Sequence, residues 1–192
     1  MSNSFFALLF RQKYIRRWGL MRNVSDESLI SHIAETAMLA HALAIIGNRL
    51  FQADYHEEKI ALLALYHDAT EVYTGDMPTP VKYFNDEIRR SYRQIEDNAA
   101  ALLLSKLPDT LQSAYQPWIC ETDISPEEAK LVKAADKLSA YIKCIEEEKS
   151  GNPEFRQARL TTEAALDAMD CPELDWFREH LLPSFFLTLD EL

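Results

Sequence analysis

His67 and Asp68 follow seven consecutive apolar residues, IALLALY at 60–66. An aspartate at the end of such a run is costly to bury unless an imidazole, an arginine or a metal ion compensates it. Alone, the dipeptide reads as a hydrogen-bonded structural pair. It has company: Glu71 lies four residues after His67 and three after Asp68. On a helix those side chains are neighbours. Three ionisable groups therefore converge just before a loop containing Gly75, Pro78 and Pro80. Loops of that kind carry substrate contacts. Metal-assisted hydrolysis or acid–base chemistry is the kind of work such a group does.

Asp136 is a second carboxylate of interest. Its helical neighbours are Val132, Ala129, Ala140 and Lys143, so it lies off the main apolar stripe and faces a second packing partner. The plainer reading is a surface aspartate paired with Lys143. His32 and His41 are nine residues apart and point to roughly opposite faces of one helix. Spacing does not choose between them. His56 and His180 read as peripheral.

The elements that must position these groups are helices. Residues 4–17 read as a short amphipathic start and 18–24 as irregular. A second helix is expected over 28–48, ended by Gly47 and Asn48. A third is expected over 56–73, apolar on every side of its middle and therefore buried all round. Residues 84–107 form a charged-faced helix stopped by Pro108, and a shorter one follows at 109–119. Ser125-Pro126-Glu127-Glu128 is a strong helix start, with Ser125 as cap and Glu128 closing a capping box. That helix runs to about Lys149, with Leu131, Ala135, Leu138, Ile142 and Ile145 as its core stripe. Two more are expected at 154–169 and 172–182.

Composition agrees with this scheme. The 192 residues suit one domain with a sizeable core. Only four glycines are present, while Ala, Leu and Glu recur, which favours an all-α fold. A net charge of −11 argues against binding a nucleic acid polymer. Residues 1–23 run against the trend, with Arg11, Lys13, Arg16, Arg17 and Arg22 and no acid. They form either a solvated segment or a source of guanidinium groups for an anion site. Cys120, Cys144 and Cys171 show no metal spacing, which fits a reducing compartment. The apolar run at 5–10 is too short for a signal segment. No stretch reads as a membrane span, and the cytoplasm is the expected location.

The order of one His, then His-Asp, then a distant Asp resembles the HD-domain phosphohydrolase superfamily. The segment HDATEVYTGDMPTPVKYF at 67–84 is similar to the bacterial HD-domain 5′-deoxynucleotidases. RRWGLMRNV at 16–24, AMLAHALAIIGNR at 37–49, LVKAADKLSAYIKCIEE at 131–147 and PSFFLTLDEL at 183–192 fit the same family. The resemblance covers nearly the whole chain. It implies a single-domain helical bundle of the HD type over 1–192. It also implies one divalent cation per subunit held by His32, His67, Asp68 and Asp136, with cobalt expected ahead of manganese or zinc. Glu71 falls on the family's catalytic glutamate, and Arg17 with Trp18 falls on its substrate-contacting pair. His32, Asp68, Asp76, Met77, Pro78 and Thr79 complete the implied substrate contacts. A homodimer is implied as well. One position departs from the family pattern: Ser31 stands where close relatives have Glu before the first histidine.

The implied reaction is hydrolysis of deoxyribonucleoside 5′-monophosphates. In it Arg17 would orient the phosphate, Asp76 would accept from a sugar hydroxyl, and Trp18 would pack on the sugar and exclude a 2′-hydroxyl. Glu71 would either position the attacking water or protonate the leaving oxygen. Three other readings compete. A two-metal oxidase of the same superfamily needs more histidines than the segment between Asp68 and Asp136 supplies. A guanosine polyphosphate hydrolase would carry further acids beside His-Asp, where Ala69 and Thr70 stand. A noncatalytic helical binding module would need no ion.

Overall fold

The computed structural model describes residues 3–82 and 84–192; the side chain of Thr79 lies outside the described residues. Ten α-helices are present among them: α1 (Phe5–Leu9), α2 (Leu29–Leu50), α3 (Glu57–Tyr66), α4 (Glu71–Thr74), α5 (Thr79–Lys82), α6 (Asp86–Leu104), α7 (Asp109–Ile119), α8 (Pro126–Lys149), α9 (Arg156–Asp167) and α10 (Pro172–His180). Short 3₁₀ turns fill Phe10–Tyr14, Pro153–Phe155, Leu182–Phe186 and Leu189–Glu191. No strand forms among the described residues; a single antiparallel bridge joins Arg16 to Ser28.

The chain gathers into two compact units. The first holds the residues up to Trp18, Glu27–Ile33 and Tyr66–Ile124. Its core packs Phe5 and Leu9 of α1 with Ala69, Ala100, Leu103, Leu107 and Ile119. Phe5 meets the ring of Tyr115 edge-on at 5.2 Å between centroids. Asn85 starts α6 by accepting from the Ile88 N–H, and α4 and α5 both pack on α6.

The second unit holds Gly19–Asp26, Ala34–Leu65 and Ser125–Leu192. Its long element is α8, which begins with the expected capping box. Ser125 Oγ accepts from Glu128 N–H at 3.1 Å, and Glu128 Oε2 accepts from Ser125 N–H at 2.9 Å. The stripe Leu131, Ala135, Leu138, Ile142 and Ile145 is buried, each large side chain contributing roughly 1.5–3 kcal/mol of transfer free energy. α9 packs along α8.

Three expectations need correcting. First, α2 does not end at Gly47-Asn48 but continues to Leu50. Gly47 serves close approach instead: a Cβ there would lie 2.5 Å from Tyr55 Cε2. Asn48 pins the following segment, its carbonyl accepting from Tyr55 N–H and its amide donating to Tyr55 O. Second, the helix expected over 56–73 breaks after Tyr66, and residues 67–70 form a tight turn before α4. Leu62 and Leu65 are exposed, so α3 is not buried all round. Third, α2 is long and apolar enough to cross a membrane by length and composition, with a mean hydropathy of 1.6 in its most apolar window. A core helix passes the same test, and Leu29, Ile33, Ala40, Leu43 and Ala44 of α2 are all buried.

Candidate functional site

The break after α3 is what presents the His-Asp pair. The turn is closed by tight backbone bonds, Ala69 N–H to Tyr66 O at 2.9 Å and Glu71 N–H to Asp68 O at 3.1 Å. Ala69 plugs into the core of the first unit. Gln12, only 5% exposed, donates its side-chain amide to the Asp68 carbonyl at 3.2 Å. The turn is thereby fixed from below by packing and from the side by a hydrogen bond. Gly75, at φ +70°, then ends α4 in a conformation that suits glycine.

His32 enters from the first turns of α2 and is fully buried. Its Nε2 lies 3.9 Å from Asp68 Oδ2, and His67 Nε2 lies 3.1 Å from the same oxygen. The two imidazole rings meet edge-on with centroids 5.6 Å apart. Each of His32, His67 and Asp68 offers a donor atom, and these atoms lie within 4.8 Å of one another. Two imidazoles and a carboxylate at that spacing suit a borderline divalent cation. Of the two histidines that spacing left level, His32 is the one grouped with His67 and Asp68. Ser31 leaves this arrangement intact: it is exposed at the start of α2, where its N–H and hydroxyl both meet Ser28 Oγ.

Asp136 sits half-buried on α8, in the second unit, and is not one of the three grouped donors. Lys143, the surface partner considered for it, instead donates to Glu147 and to the Ser25 carbonyl.

Glu71, the first residue of α4, is 7% exposed. Burial pushes its carboxyl up to about 9, with Asp68 and Asp76 reinforcing the shift against Arg17 and Lys82. One of its oxygens, Oε2, is buried with no hydrogen-bond partner among the described residues. A buried carboxyl oxygen of this kind calls for a functional account. It is placed to hold or release a proton.

Asp76 follows α4 and is also raised by burial, with Arg17 pulling the other way. Met77 beside it is half-buried and Pro78 is exposed. The Pro78 carbonyl accepts from Val81 N–H at 2.8 Å, which turns the loop into α5.

Of the basic segment, Arg17 reaches the site: its Nη1 is 3.9 Å from Asp68 Oδ2. Arg22 pairs with Glu154, and Arg11 and Lys13 lie over the Tyr14 ring. Trp18 adopts φ +57°, a strained backbone for a bulky residue. Two further residues support the group and escaped the sequence reading. Gln12 is hidden inside a basic, amphipathic stretch. Glu27 stands in an Asp-Glu pair that reads as solvated loop, yet it accepts from both Arg17 and Trp18.

The family model for 5′-deoxynucleotidase YfbR-like proteins matches residues 4–185. The 5′-deoxynucleotidase YfbR of Escherichia coli O127:H6 is 52% identical over 188 residues, covering 98% of this chain and 94% of its own. Among solved structures, an HD-domain phosphohydrolase from Listeria innocua superposes with a TM-score of 0.83 at 22% identity, over 97% of this chain and 90% of its own. The HD phosphohydrolase of cyanophage S-2L, bound to dA and one catalytic Zn2+ ion, superposes with a TM-score of 0.67 at 18% identity, over 93% and 96%. The two structural likenesses establish the fold as the HD phosphohydrolase type. With a family model spanning almost the whole length and a relative identical at half of all positions, the chain belongs to the 5′-deoxynucleotidase YfbR-like family.

Proposed function

We propose that this protein is a metal-dependent 5′-deoxynucleotidase, hydrolysing deoxyribonucleoside 5′-monophosphates to deoxyribonucleosides and phosphate. The observation that carries the reading is the convergence of His32, His67 and Asp68 donor atoms within 4.8 Å, with the buried Glu71 close by. Family membership supplies the substrate class.

His32, His67, Asp68 and Asp136 would hold one divalent cation per subunit, cobalt ahead of manganese or zinc. When bound, that ion would activate water and neutralise charge on the phosphoryl group. The remaining work falls to the chain itself. Arg17 orients the phosphate through a charge-assisted contact. Glu71, whose carboxyl is raised by burial, delivers a proton to the leaving 5′ oxygen. Asp76 accepts from the sugar hydroxyl. Met77, Pro78 and Thr79 complete the substrate contacts beside it. Trp18 packs against the sugar where a 2′-hydroxyl would stand. His32 and Asp68 also contact the substrate in this scheme. The homodimer and cytoplasmic location belong to the same proposal, the latter in keeping with the free thiols of Cys120, Cys144 and Cys171.

One panel tests the reading. Phosphate release is measured from dAMP, AMP and guanosine polyphosphates, with cobalt, manganese or zinc, and after chelation. Release from dAMP that needs a metal and exceeds that from AMP is expected. Equal rates with chelator present, or preference for a guanosine polyphosphate, would reject it. Metal analysis of purified Asp136→Ala addresses the fourth ligand: the ion should be lost, and unchanged stoichiometry would remove Asp136 from the set. Sedimentation velocity should show a dimer.

A further inference from the structure

Arg17 and Trp18 are adjacent in sequence, but nothing in a dipeptide makes two long side chains hold one arrangement. The structure supplies the missing constraint from nine and ten residues away. The segment before Trp18 runs beside the entry to α2: Arg17 N–H donates to Glu27 O at 3.0 Å and Leu29 N–H to Ile15 O at 2.9 Å. This brings the Glu27 side chain, 7% exposed, against both residues. Its Oε2 accepts from Arg17 Nε at 3.1 Å and from Trp18 Nε1 at 2.8 Å. A single oxygen thus receives the guanidinium and the indole together.

The geometry of each donor matters. Glu27 engages the Nε edge of the guanidinium, and Nη1 lies 3.9 Å from Asp68 Oδ2 in the ligand group. The guanidinium plane is therefore oriented between two carboxylates. Trp18 is held at φ +57°, a backbone state that persists only where the surroundings over-determine it. The indole hydrogen bond to a buried carboxylate is one such determinant, and charge-assisted bonds of this type are the stronger kind. Glu27 is not a donor in the His32, His67 and Asp68 group.

We propose that Glu27 is a positioning residue that couples phosphate orientation by Arg17 to sugar discrimination by Trp18. The inference rests on the roles given to Arg17 and Trp18 under the proposed function. Its signature is a joint defect: displacing one carboxylate moves both side chains, so turnover and deoxyribose selectivity fall together. A salt bridge with a purely structural role would lower thermal stability and leave selectivity untouched.

The experiment measures kcat and KM for dAMP and AMP, with bound metal per chain, in wild type, Glu27→Gln, Glu27→Ala and Trp18→Phe. Glu27→Gln keeps one acceptor oxygen, so it should fall between wild type and Glu27→Ala. Glu27→Ala should lose roughly ten- to hundredfold in kcat/KM for dAMP, the scale of a small misplacement of binding groups. The dAMP-to-AMP ratio of kcat/KM should drop in both, with metal content unchanged. Trp18→Phe keeps an aromatic ring but lacks the N–H, and it should lower the same ratio; adding Glu27→Gln to it should lower the ratio little further. Unchanged selectivity in Glu27→Gln and Glu27→Ala would overturn the proposal, as would metal loss accompanying the defect. If the Glu27 variants do not fold, an unchanged ratio in Trp18→Phe overturns it alone. A wild type without preference for dAMP would fail the underlying reading itself. Retained wild-type selectivity in the Glu27 variants fails only the role of Glu27.

Discussion

Glu71 and Glu147 are the same residue type in two regions of one chain, both almost completely removed from water, and they behave in opposite ways. Burial raises both. At Glu147 that effect is outweighed by hydrogen bonds from Lys143, the backbone N–H groups of Val24 and Ser25, and Asn152, and the carboxyl drops to about 2. Glu71 has carboxylates near it, an oxygen with no partner among the described residues, and a carboxyl at about 9. Burial alone therefore does not decide ionisation; the supply of donors does. Glu147 is a fastener between α8 and the segment at 24–25. Glu71 is instead kept short of donors and close to the carboxylates of Asp68 and Asp76.

The largest expected effect separates the two by function. Glu71→Ala should lower kcat by about 10²–10⁴-fold while the protein still binds metal and nucleotide. Turnover close to wild type would remove Glu71 from the chemistry. Glu147→Ala should do the reverse. It leaves Lys143 buried beside an empty position, a loss of roughly 3–5 kcal/mol for a broken buried pair, read in a denaturant melt; a change below 1 kcal/mol would show the network to be slack.

Acid sharpens the second half of the contrast. Glu147 titrates near 4.5 when unfolded and at about 2 when folded. Its stabilisation is complete above 4.5 and disappears as pH falls toward 2. The stability gap between wild type and Glu147→Gln should close over that range.

The companion test concerns Glu71 and runs toward alkaline pH. Its folded carboxyl, at about 9, keeps a proton that the unfolded chain releases near 4.5. Stability is therefore lost as pH rises through that interval. In chelator-treated protein, Glu71→Gln should raise the melting temperature over wild type by more at pH 8 than at pH 5. An equal gain at both would mean that Glu71 ionises normally.

The capping chemistry of α8 was readable because it is local: Ser125 and Glu128 meet within one helical turn, whatever the rest of the chain does. The stripe from Leu131 to Ile145 was readable for the same reason. The break after Tyr66 was not. The apolar run gives no stop signal, and what bends the chain is tertiary, with Ala69 seated in the core and Gln12 bound to the Asp68 carbonyl. His32 illustrates the same boundary. Residue spacing left it level with His41, the family resemblance selected it, and only the folded chain shows its Nε2 3.9 Å from Asp68 Oδ2. Glu27 carried no sequence signal, because its importance lies in side chains nine and ten residues away.

Gly47 has a practical consequence for anyone stabilising this protein. Replacing a helical glycine with alanine ordinarily lends rigidity to the unfolded-prone backbone, gaining about 0.4–1 kcal/mol. Here the added methyl would collide with the edge of the Tyr55 ring, whose hydroxyl donates to buried Glu173. A substitution recommended by helix statistics would thus dislodge an aromatic wedge and strip a carboxylate of a donor, so this position should be left out of any helix-propensity redesign.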